Sequence, residues 1–97
     1  MFDKLEDLLI RFEEIMGELN EPNVTENQER FRKLMKEQSD LTPIVEAYRE
    51  YKKCVQDVQD SLSMLEEEND EEMRAMLKEE LTAARERTQE LEQDLKI

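Results

Sequence analysis

Two stretches of this chain repeat apolar residues in steps of three and four with an acidic run between them, and no other feature limits the fold so tightly. From Leu41 to Leu65 the row is Leu41, Ile44, Tyr48, Tyr51, Val55, Val58, Leu62 and Leu65; from Met73 to Leu95 it is Leu77, Leu81, Ala84, Thr88, Leu91 and Leu95. Such spacing puts each row on one face of an α-helix, a seam that must lie against another helix. Between them, Glu66-Glu67-Glu68-Asn69-Asp70-Glu71-Glu72 is too charged to be buried and reads as a tight reversal. The sequence therefore predicts a long antiparallel helical hairpin of coiled-coil type.

Breakers are scarce: the 97 residues include one glycine and two prolines, among many Glu, Lys, Leu, Ala and Arg. With 37% hydrophobic and 42% charged residues, the chain can bury narrow stripes but not a thick core. The expected class is all-α, a three-helix arrangement in one domain over residues 1–97, with the shorter first helix covering the hairpin's remaining apolar flank.

The first helix is expected over about residues 3–20. Asp3 is placed to cap it, and Leu5, Leu8, Leu9, Phe12, Ile15, Met16 and Leu19 form its apolar face. Gly17 within that face costs about 1 kcal/mol of helix propensity, which marks either a closely packed neighbour or a helix weakening toward its end. Asn20-Glu21-Pro22-Asn23-Val24 is the clearest break.

The second helix is expected over about residues 26–67, capped by Asn23 or by Thr25, the latter forming a capping box with Gln28. Its row runs through Phe31, Leu34 and Met35 and is broken at Gln38. Asp40-Leu41-Thr42-Pro43 allows either a fresh cap or a proline inside a continuing helix. Continued from Phe31, strict alternation would reach Val45 and Lys52, whereas the apolar row reads Ile44 and Tyr51. The expectation is a change of phase at Pro43, with a kink or brief interruption at 40–43. The stretch from 44 to 66 alone would run about 35 Å at 1.5 Å per residue. A last helix, over about residues 70–96, opens on Asp70-Glu71-Glu72, acids suited to a helix N-terminus. Glu80, Ala84, Glu86, Arg87 and Glu90 are assigned to its solvated outer face.

The formal charge is −13, of which residues 66–97 carry −7. That argues against a domain gripping nucleic acid by its phosphates, and no direct DNA binding is expected. Two basic islands stand against this background: Arg30, Arg32, Lys33 and Lys36, then Arg49, Lys52 and Lys53. The favoured reading pairs them with acids of neighbouring helices; the other makes them contacts to RNA or to an acidic partner. Tyr48 and Tyr51 lie in the seam, where packing is favoured over base stacking.

There is no histidine, a single cysteine, Cys54, and no glycine-rich stretch. The chain thus lacks an imidazole for acid–base work, a thiolate metal cluster and a phosphate cradle. No enzyme activity and no cofactor are expected of it. Cys54 beside Val55 reads as an inert, half-buried thiol and suits a reducing compartment. No apolar run approaches the roughly 20 residues that span a bilayer, and Met1-Phe2-Asp3-Lys4 has no export pattern, so the expected setting is cytoplasmic, with no membrane partner.

Five segments, in order, carry a further resemblance: Met1-Phe2-Asp3-Lys4-Leu5; Glu21-Pro22-Asn23-Val24; Gln28-Glu29-Arg30-Phe31-Arg32-Lys33-Leu34; Leu41-Thr42-Pro43-Ile44-Val45-Glu46-Ala47-Tyr48-Arg49-Glu50-Tyr51-Lys52; and Asp70-Glu71-Glu72-Met73 with Lys78-Glu79-Glu80-Leu81. Across essentially all 97 residues the chain resembles the N-terminal helical domain of the bacterial class-I peptide chain release factors that read UAA and UAG. The resemblance implies a cytoplasmic multidomain factor that enters the ribosomal A site, reads the stop codon with a tripeptide loop and releases the chain through a Gly-Gly-Gln loop. This chain, with one glycine and ending at Lys96-Ile97, has neither device and is expected to be a domain of something longer. By the same resemblance its partners are the ribosome, at the large-subunit stalk base with its L11-type protein, and the GTPase that recycles the factor. The rival reading is a stand-alone acidic coiled-coil adaptor or assembly protein; a prefoldin-like chaperone fits less well, because the strands flanking its hairpin are missing.

Overall fold

A computed structural model describes residues 2–96. It is all-α: α1 (Phe2–Leu19), a short 3-10 turn (Val24–Glu26), α2 (Gln28–Glu67) and α3 (Glu71–Leu95), with no strand among the described residues. The chain divides into two compact units, Met1–Glu46 and Ala47–Ile97.

In the first unit α1 packs antiparallel on the early part of α2. Late residues of α1 meet early residues of α2 and the converse: Arg30 approaches Glu18, while Arg11 meets Glu37. The core is Ile15, Val24, Leu34, Leu41 and Val45, with Leu8, Leu9, Phe12, Leu19 and Phe31 packed around it. Gly17 faces open space, with nothing within 4 Å of where a Cβ would stand. Of the two readings of this glycine, close packing is the one set aside.

Helix starts follow local hydrogen bonding, and here two sequence expectations are corrected. Asp3 is not the cap of α1, which already includes Phe2; it lies in the first turn, where its charge still suits the positive end of the helix. The cap of α2 is neither Asn23 nor Thr25. Asn27 Oδ1 accepts the Arg30 N–H at 3.1 Å, the bond an N-cap side chain makes to the third helical amide. Because Val24–Glu26 is wound as a 3-10 turn, Gln28 reaches back to the Thr25 carbonyl, at 2.7 Å, instead of to a backbone N–H.

α2 is helical throughout 40–43, with Pro43 inside it, so the chain is not interrupted there. Thr42 Oγ1 donates to the Gln38 carbonyl at 2.7 Å, adding a bond in the turn where the proline has no N–H to give. At 44/45 the expected change of phase does not occur, whereas further on Tyr51 is buried and Lys52 exposed, as that expectation has them. The inward row continues from Leu34 through Leu41 to Val45, which is 2% exposed, while Ile44 is 37% exposed. Further along, Ser61 is buried and Leu62 is 41% exposed. At 44/45 and 61/62 the more apolar neighbour does not capture the inward position.

The second unit is the antiparallel pairing of late α2 with α3. Leu65 near the end of α2 meets Arg74 near the start of α3, and Glu50 meets Arg87. Tyr48, Tyr51, Cys54, Leu77, Leu81 and Leu91 are buried. Tyr51 donates its hydroxyl to Glu92 Oε1 at 3.3 Å, and burial, reinforced by that carboxylate, pushes the phenol pKa up. Desolvation likewise raises the Cys54 thiol, with the Glu50 and Asp57 charges acting the same way.

The reversal is held by a residue outside the acidic run. Arg74 Nη1 donates to the Leu65 carbonyl at 2.5 Å and to the Glu68 carbonyl at 2.9 Å, supplying donors where the end of α2 leaves carbonyls unpaired. Glu68 Oε1 accepts the Asp70 N–H at 3.0 Å, and Asp70 precedes the first turn of α3 with Glu71 and Glu72. No described helix is long and apolar enough to cross a membrane.

Candidate interaction surface

The seven basic residues marked by the sequence divide between the two units. In the first, Arg30 reaches both Glu18 of α1, at 3.8 Å, and Glu21 of the following turn, at 3.6 Å. Lys33 and Lys36 pair within their own helix, with Glu29 at 3.4 Å and Asp40 at 3.2 Å. Those i,i+4 contacts sit in solvent and leave both ammonium groups available to a partner. Arg32 is exposed and makes no ion pair among the described residues. Pairing with a neighbouring helix thus accounts for Arg30 and not for the rest of this island.

In the second unit Lys52 Nζ stands 5.2 Å from the centroid of the Tyr48 ring, a cation–π distance. Lys53 is exposed, and its charge helps to lower the pKa of Glu50. Arg49 is exposed one turn below Lys53. Both tyrosine rings are buried and closed to stacking by a base.

Two further cations that join helices, Arg11 and Arg87, lie outside the basic islands marked by the sequence. Arg11 grips Glu37 with Nε to Oε2 at 2.6 Å and Nη2 to Oε1 at 2.9 Å. Arg87 grips Glu50 in the same forked way, and Glu90 as well at 2.9 Å. The assignment of Ala84 and Arg87 to the outer face of α3 is therefore corrected: both are half-buried beside the seam, and Arg87 crosses it. Hydrogen bonds from these guanidinium groups hold the Glu37 and Glu50 carboxyls below the usual carboxylate range. Both arginines titrate above their ordinary value for the same reason. A usable signal was present, since Arg11 lies beside Phe12 and Arg87 beside Thr88, both positions of the inward rows, from where a long side chain can reach across.

Among the described residues no group of three or more His, Cys, Asp or Glu is placed to hold a metal ion. Helical pairings closed by ion pairs and covered in charge define a small all-α protein class. The chain belongs to the PCRF domain family, which it matches over residues 8–97. It is 59% identical over 97 residues to peptide chain release factor 1 of Agathobacter rectalis and of Lachnoclostridium phytofermentans, and 42% identical to that of Clostridium beijerinckii. Each match takes in 100% of this chain, and the chain spans 27% of the length of these curated relatives. No solved structure matches it. The similarity bears out the resemblance read from the sequence and does not favour the stand-alone adaptor.

Proposed function

We propose that this chain is the N-terminal helical arm of a peptide chain release factor of the UAA- and UAG-reading type, acting in termination of translation in the cytoplasm. The observation that carries this reading is full-length similarity at 59% identity to proteins named peptide chain release factor 1. The arm makes contacts and leaves hydrolysis to the rest of the factor. Its helices are clamped by Arg11–Glu37 and Arg87–Glu50, which suits a rigid presenting surface. Its partners are the ribosome, through the stalk base and its L11-type protein, and the recycling GTPase. Arg30, Arg32, Lys33, Lys36, Arg49, Lys52 and Lys53 are its candidate contact residues, with Arg32 the best placed because no neighbouring acid engages it.

The test is a chimera in which this chain replaces the matching segment of the Agathobacter rectalis relative. It should release peptide at UAA and UAG, whereas the relative lacking the segment should need a higher concentration. Reversal of Arg49, Lys52 and Lys53 to glutamate should leave helix content by circular dichroism intact. It should raise the half-maximal concentration for release by about tenfold, 1.4 kcal/mol, with the rate at saturation unchanged. A folded chimera no better than the truncated factor overturns the reading; an unchanged concentration dependence removes only these three residues from the contact.

A further inference from the structure

Within the second unit, late α2 and α3 leave a groove of about 520 Å³ between them. It is lined by Ser61, Met64, Ala83 and Ala84 and by the carboxylates of Asp57, Asp60 and Glu80.

Three observations bear on what would fill it. Small lining residues let a third helix come close, since interaxial distance is set by the side chains at the contact. Ser61 is 5% exposed, yet its hydroxyl makes no hydrogen bond among the described residues. Among the described residues no fully buried side-chain oxygen lacks a partner, so this hydroxyl keeps some exposure, on a residue that lines the groove. Finally, Asp57 and Glu80 have no ion-pair partner among the described residues, and Asp60 accepts only from Gln56, at 2.9 Å.

We infer that this groove docks a basic amphipathic helix of a partner protein. The helix would lay its apolar row on Met64, Ala83 and Ala84 and set Lys or Arg against Asp57, Asp60 and Glu80, while Ser61 bonds to it. Flexible thioethers adapt to varied apolar side chains, and carboxylates steer basic helices into such grooves. Charge selects against the other occupants: a second copy brings the same carboxylates and the same −13, and nucleic acid brings phosphates. The groove stands whatever activity the longer protein has, so this inference does not rest on the release-factor reading.

The probe is a 20-residue peptide with leucines at helical spacing and lysines elsewhere, titrated into the chain by NMR and calorimetry. Controls are a scrambled peptide of the same composition and a 20-residue oligolysine. The expected result is one-to-one binding of the amphipathic peptide, weakening with salt, with shift changes centred on Ser61, Met64 and Ala83. Ala83→Arg and Met64→Lys, both at exposed positions that keep the helices intact, should each weaken it at least about tenfold. Equal binding by the scrambled or oligolysine peptide overturns the inference, as does absence of binding. Insensitivity to Ala83→Arg, or self-association of the chain through this face in sedimentation, overturns it as well.

Discussion

Arg87 meets Glu50 fork to fork, Nε to Oε1 at 2.7 Å and Nη2 to Oε2 at 2.9 Å, joining residues 37 positions apart in sequence. The bond lowers the Glu50 pKa, so the folded state holds its charge where an unfolded glutamate, titrating near about 4.3, would take up a proton. The linked stability is complete above that unfolded value and is lost as pH falls through the lower folded one. Glu37 beside Arg11 behaves alike. Both pairs are partly exposed and screened. In urea unfolding, Glu50→Gln should be less stable than the parent at pH 7, the gap closing toward pH 3 and narrowing in high salt. A gap independent of pH would place the effect in packing.

Gly17→Ala should stabilise the first unit. The glycine is exposed, lies in regular helix and has nothing within 4 Å of an added Cβ. Alanine therefore brings its propensity, about 1 kcal/mol, without a clash. The midpoint of urea unfolding should rise with the slope unchanged.

The register of α2 can be tested by truncating neighbours. Val45 is 2% exposed and Ile44 37%, so Val45→Ala should cost about 2 kcal/mol and Ile44→Ala under about 0.5. The opposite order would restore the change of phase expected at Ile44. Much of the fold was legible there: the reversal before Asp70, the seam of Leu77, Leu81 and Leu91, and the helical class all followed from spacing. The errors came where adjacent positions compete, Ile44 with Val45 and Ser61 with Leu62. Hydropathy favours one neighbour, and what the opposing helix covers decides for the other.

The candidate surface was less legible. Basic islands are visible in a sequence, but whether a cation is engaged depends on what the opposing helix places within 4 Å. Lys33 and Lys36 found acids on their own helix, Arg30 found Glu18 and Glu21, and the interhelical clamps fell to Arg11 and Arg87. Nor does periodicity announce Arg74, whose bonds to Leu65 and Glu68 close the reversal; it is the first cation after six acids. Arg74→Ala should loosen the reversal, seen as faster amide exchange at 66–72 while exchange around the first-unit core stays as it was.

Pro43 is the clearest conflict between local preference and fold. It lies inside a 40-residue helix, where it removes the N–H that would serve the Ser39 carbonyl and crowds the preceding turn. Thr42 adds a hydroxyl bond to the carbonyl of Gln38, not to that of Ser39. Pro43 is itself exposed, so replacing it disturbs no core contact. Pro43→Ala should therefore raise stability by about 1 to 3 kcal/mol, the upper figure reduced because proline also restricts the unfolded chain. Amide protection should increase at 39–44. If stability falls instead, the proline is serving the fold through a bend that alanine does not reproduce, and relatives with alanine there should carry compensating changes on α1.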